Sequence, residues 1–275
     1  RGPRSAMSNW GHVVLVCTSL TTAAAVYVSY HLYLQRPQWD TICLVFFMLG
    51  VFYNAAALLV GGSIPDRYIY QYPDLCVELH RSRCVLLDCL GIPAVLMVFV
   101  HHATMPLRAS VPYDSPQGQA LMAATGVVIL VLGALSTKEV VTYAFTTHNC
   151  GGVLHWRPAR LTPPLQKPHR AAVAASLVAA VVCTVATDAS WSAKICLMLA
   201  TAMLAASFRV AKGYGSNVVL VQQFLLTPLV IFLLLSYEPS ITCNRRPISC
   251  FMSTPGHGLL QLFPYTGKAR PHVGL

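Results

Sequence analysis

Charge is what this 275-residue chain has least of. Only 10% of its residues are Asp, Glu, Lys or Arg, and nine are acidic, whereas an ordinary soluble domain carries about 25% charged residues. So little charge cannot keep a globule of this size in water, which excludes a conventional soluble fold. Familiar catalytic sequences are missing too: no G-x-S-x-G elbow, no H-E-x-x-H, no Walker sequence and no strand-borne G-x-G-x-x-G. The last apolar run has no lysine for a retinal Schiff base, and no paired histidines sit at mid-run for haem.

What is present is apolar: 55% hydrophobic residues and a mean hydropathy of +0.58. The apolar residues gather into runs near the length of roughly 20 residues that a helix needs to cross about 30 Å of hydrocarbon. The runs predict spans at His12–Leu34, Thr41–Gly62, Cys84–Ala103, Gln119–Thr137, Ala171–Asp188, Trp191–Arg209 and Asn217–Tyr237. The fold class expected is therefore all-α, a polytopic bundle of about seven transmembrane helices. Ala189 and Ser190 alone separate the fifth and sixth runs, so a tight hairpin, a re-entrant pair and a five-span chain all stay open there. The domain reading is an N-terminal segment at 1–11, a membrane domain at 12–237 and a C-terminal tail at 238–275. The first run lacks a small-residue cleavage pattern and reads as a span, not a signal peptide.

Net charge is +10, but the basic residues lie in loops, not in an aromatic-studded patch, so no nucleic-acid partner is expected. Twelve of the nineteen Lys and Arg fall on one side of the predicted topology. The positive-inside rule then places the N-terminus inside and the C-terminus outside. Basic inner loops suit anionic lipid headgroups. An organellar inner membrane is compatible with this localisation. A long inner loop at 138–170 holds Cys150, Gly151, Gly152, Trp156 and the prolines 163, 164 and 168, a run that is not expected to be helical throughout. It reads as a docking surface or a linker. The ten cysteines are scattered, most of them in apolar runs, where a thiol acts as a small hydrophobe. Cys243 and Cys250 in the tail are candidates for a disulfide if the outer compartment is oxidising.

Small residues mark helix packing, because lipid provides no hydrophobic drive between helices. The rows Ala171, Ala175, Ala179 and Ala172, Ser176, Ala180 predict a central, tightly packed fifth helix. Ala120, Ala124, Gly126 and Gly133 point to a second close contact. Polar residues at bilayer depth are functional candidates by default. Asp88 leads, one turn before a kink at Pro93, whose ring frees the carbonyl of Cys89. Cys76, His80, Cys84 and Asp88 recur every four residues and are the candidate zinc ligands. The bland alternative is buried Cys and solvated His. Asn54, Gln222 and Gln223 are expected to bridge helices, His101 and His102 to be interfacial imidazoles without a special role, and Lys194 to snorkel outward beside Asp188.

The order of features from Tyr53 to Ala103 resembles the myomaker family, part of a larger group of seven-span membrane hydrolases that includes the alkaline ceramidases. The stretch runs Tyr53-Asn54-Ala55, then Cys76, then Leu86-Leu87-Asp88-Cys89-Leu90-Gly91. The likeness covers about a fifth of the chain. In that family a His at the end of the second span, an Asp early in the third and His residues in the seventh complete a zinc site. Here Asn54 stands in place of the second-span His, and the seventh run has Gln222 but no His. The likeness therefore implies a divergent, non-hydrolytic member that keeps Asp88 alone of the zinc set.

The leading expectation is a non-catalytic scaffold or accessory subunit of a membrane assembly, without a cofactor, whose partners are lipids and other membrane subunits. The alternative is a metal-dependent lipid hydrolase using Asp88 and zinc. Transport ranks third, since no repeat of the two halves is visible.

Overall fold

The computed structural model describes residues 10–63, 71–104, 115–150, 153–159, 163–186, 189–211 and 218–237. All of them belong to one unit, Arg1–Tyr237. Residues 1–9, Asp188, Cys243, Cys250 and the tail at 238–275 lie outside the described residues.

Seven helices are long and apolar enough to cross a membrane. They are α1 (Trp10–Gln35), α2 (Trp39–Ser63), α3 (Pro73–Thr104), α4 (Pro116–Thr142), α5 (Pro163–Val185), α6 (Trp191–Ala211) and α7 (Val218–Ser236). The chain is an all-α, multi-pass integral membrane protein, with one small antiparallel hairpin of β1 (Phe145–Cys150) and β2 (Val153–Pro158). Exposed aromatics stand at helix starts on both ends of the bundle: Trp10 and Tyr72 at one, Trp39 and Trp191 at the other. These are the positions of an aromatic belt. The fifth and sixth runs are both full-length helices, so the five-span alternative falls.

The third helix holds the centre. Of its most apolar stretch 72% is buried, against 39% for α5, and α2, α4 and α5 all pack on it. The expectation of a central α5 is thus corrected. Its small residues are used all the same: Ala172, Ser176, Ala179 and Ala180 are buried, with Ala171 and Ala175 partly so, and α5 contacts α3, α4 and α6. The ring closes through α1, which packs on α2 and α7, and through α6, which packs on α5 and α7.

The third helix is also longer than the apolar run predicted. It starts at Pro73, with proline in the first turn where no intrahelical N–H is needed. Its middle, Val85–Gly91, is a π-helical segment. Two glycines let neighbouring backbones meet it. A Cβ on Gly50 of α2 would lie 2.9 Å from the Leu86 carbonyl oxygen, and one on Gly133 of α4 would lie 2.9 Å from that of Cys89. Pro93 has no N–H to donate back into this segment. Gly133 therefore makes the second close contact, whereas Ala120 and Ala124 face outward and Gly126 meets open space.

The presumed loop at 138–170 is mostly ordered structure. Helix α4 runs on to Thr142, the hairpin follows, and α5 begins at Pro163. The proline run is helical after all: Pro163 and Pro164 occupy the first turn, so only Pro168 removes an N–H from the helix interior. The hairpin is docked, not free. Val153 packs beside Gly62 and with Leu15, Leu58, Val219 and Leu220.

Candidate functional site

Buried polar groups collect at the two ends of the bundle, joined by α3. The π segment decides which of them meet. Four-residue spacing would align Cys76, His80, Cys84 and Asp88 only in an unbroken α-helix, and the wider π turn after Cys84 rotates Asp88 off that row. Asp88 faces α5 instead, its Oδ1 3.7 Å from His169 Nε2. Cys76, His80 and Cys84 are buried in helix contacts, so the solvated His of the bland reading is corrected. No three His, Cys, Asp or Glu side chains gather to hold a metal among the described residues.

At the hairpin end, Arg83 carries a charge into the interior. It is 6% exposed, donates from Nη1 to Asn54 Oδ1 at 2.7 Å and from Nη2 to the Trp156 carbonyl at 3.1 Å. Asn54 thus ties α2 to α3, as its position in the second run predicts. His80 is fully buried against the Trp156 ring, centroids 5.2 Å apart. It fits only because residue 61 is glycine: a Cβ there would come within 2.6 Å of His80 Nε2. Neither ring nitrogen of His80 has a hydrogen-bond partner among the described residues.

At the opposite end, Asp40 is completely buried and its Oδ2 accepts twice, from Tyr237 OH at 3.1 Å and from His101 Nδ1 at 3.1 Å. Arg36 Nη2 lies 3.4 Å from His101 Nε2. A guanidinium has no acceptor, so Nε2 must offer its lone pair and the ring proton sits on Nδ1, toward Asp40. The His101 and Tyr237 rings stack, centroids 5.4 Å apart. The Ser236 hydroxyl lies 2.7 Å from the Leu233 carbonyl oxygen and 2.9 Å from His102 Nε2. Cys183 of α5 donates to the His102 carbonyl at 3.4 Å.

This second cluster joins α1, α2, α3, α5 and α7, and the reading of His101 and His102 as plain interfacial imidazoles is corrected by their full burial. It does not form a nucleophilic triad. The carboxylate orients His101 while the serine pairs with His102, so no single imidazole links the two. Lys194 is also corrected: it is 9% exposed, not snorkelled, and its Nζ reaches the Thr184 carbonyl at 3.5 Å across the turn from α5 to α6. Gln223 is fully buried, yet neither amide atom has a partner among the described residues. The bridge from α1 to α7 is made by Thr18 and Thr227, at 3.3 Å. Gln222 is half-buried.

Sequence reasoning singled out Asp88 and Asn54 and missed Asp40, Arg83, His169, Ser236 and Tyr237. Asp40 and Tyr237 stood just outside or at the edge of the predicted runs, where a polar residue needs no explanation. No protein-family model matches the chain, and no curated protein matches it.

Proposed function

We propose that this chain is a non-catalytic, multi-pass subunit or scaffold of a membrane protein assembly, in contact with lipid. The observation that carries the reading is the outer face of α4. This 27-residue helix is the least buried of the seven, at 22% of its most apolar stretch. Its exposed residues alternate bulky and small: Leu121, Val127, Val128 and Leu130 among Ala120, Ala123 and Ala124. Gly126 opens onto empty space, and small residues on an outward face let a neighbouring helix approach closely. The interior supports the same reading, because Asp40, Arg83, His101 and His102 spend their hydrogen bonds on one another's helices. The loop charge favours an N-terminus on the cytoplasmic or equivalent side, with basic loops against anionic headgroups.

The test is Gly126→Leu in full-length chain extracted with its native lipid. A Cβ at this position meets nothing within 4 Å in the isolated bundle, so the fold is expected to stay while a partner bound at α4 is lost. One zinc per chain in the wild type, removed by Asp88→Asn, together with unchanged copurifying chains in Gly126→Leu, would overturn the proposal in favour of a lipid hydrolase.

A further inference from the structure

We propose that Asp88 and His169 form a proton-binding pair inside the bundle, holding a single proton between the π segment of α3 and the start of α5. The inference does not depend on the subunit reading above. It rests on counting hydrogens. His169 Nδ1 lies 3.3 Å from the Leu165 carbonyl oxygen, four residues back on its own helix. A carbonyl oxygen only accepts, so Nδ1 carries a hydrogen. The ring is held in that pose by stacking on Phe208 of α6, centroids 5.8 Å apart.

With Nδ1 committed, Nε2 points at the Asp88 carboxyl, 3.7 Å from Oδ1, and has no other partner among the described residues. Were both groups bare on the facing side, a nitrogen lone pair would oppose a carboxylate in a low-dielectric interior, where electrostatic interactions are strong. One proton removes the conflict, whether it resides on Nε2, giving imidazolium and carboxylate, or on Oδ1, giving imidazole and carboxylic acid. A second proton would leave an imidazolium facing a neutral acid.

The hydrogen bonds of Arg83, the buried guanidinium of α3, go to Asn54 and Trp156, on α2 and β2. The Asp88 side chain is 23% exposed and that of His169 8%, so the carboxyl group is the less covered of the two. The π turn is what aims Asp88 at α5.

The test is nitrogen-15 NMR of His169, with isotope-edited infrared spectroscopy of the Asp88 carboxyl, on the full chain in lipid bilayers. The expected result is a His169 ring that carries its hydrogen on Nδ1, with one further proton held by the pair. In Asp88→Asn the amide donates to Nε2, and the imidazolium signal is lost wherever the wild type shows it. The exposed Asp74→Asn leaves the spectrum unchanged. A wild-type ring with Nδ1 bare would overturn the proposal, as would a His169 that gains its proton at the same pH with and without Asp88. Should Asp88→Asn fail to fold, the wild-type tautomer and the wild-type carboxyl band still decide.

Discussion

The hydroxyl of Tyr237 donates to Oδ2 of Asp40 at 3.1 Å, and the two residues are 197 positions apart in the chain. One bond thus ties the end of the last helix to the start of the second. His101 donates to the same oxygen, so the contact fastens three helices at one end of the bundle. Tyr237→Phe keeps the ring and its stacking on His101 and removes one donor to a buried carboxylate. The expected loss is about 1.5 kcal/mol, the upper end of measured interhelical hydrogen bonds in membranes and the lower end for bonds to charged groups. Reversible unfolding in mixed micelles measures it. The exposed Tyr30→Phe is the control and should change nothing.

Arg83 and Asn54 make the corresponding pair at the hairpin end. Removing Asn54 alone leaves a buried guanidinium short of an acceptor, so Asn54→Leu is expected to cost about 3 kcal/mol, the range for leaving a buried donor of a charged group unsatisfied. Arg83→Met with Asn54→Leu removes charge and acceptor together and is expected to recover at least half of that loss. A double-mutant cycle on the same unfolding assay reads the coupling. Additive losses would show that the contact carries no energy.

The glycines of α4 give opposite predictions. A methyl group at Gly133 would press on the Cys89 carbonyl oxygen at 2.9 Å, a backbone atom that cannot step aside, while Gly126 has open space. Gly133→Ala is expected to destabilise by about 1–3 kcal/mol, as overpacking does. Gly126→Ala in an isolated bundle is expected to be neutral or to stabilise by up to about 1 kcal/mol through helix propensity. Thermal unfolding of the two variants side by side decides it.

Much of the architecture was legible because bilayer thickness imposes run length: each predicted span falls on a helix, with ends displaced by a few residues in most. The largest displacement is α3, whose first turns are polar and whose His80 and Arg83 meet Trp156 of the hairpin, a contact that hydropathy does not encode. The candidate site was legible only in part. Asp88 stood out as an acid in an apolar run, but its partner His169 lay in what reads as a proline-rich loop. The Cys76, His80, Cys84 and Asp88 row assumed one helical period, and the π turn breaks it. Asp40 and Tyr237 are each ordinary at a helix end, and only the closing of α2 against α7 makes them a site.

The central claim is that this chain works as part of a membrane assembly. The most direct test is native mass spectrometry of the full-length chain released in patches of its own membrane, with metal content measured on the same sample. The account predicts stoichiometric copurifying membrane chains that Gly126→Leu removes, and no metal that depends on Asp88. A single chain without protein partners, holding one zinc lost in Asp88→Asn, would contradict it.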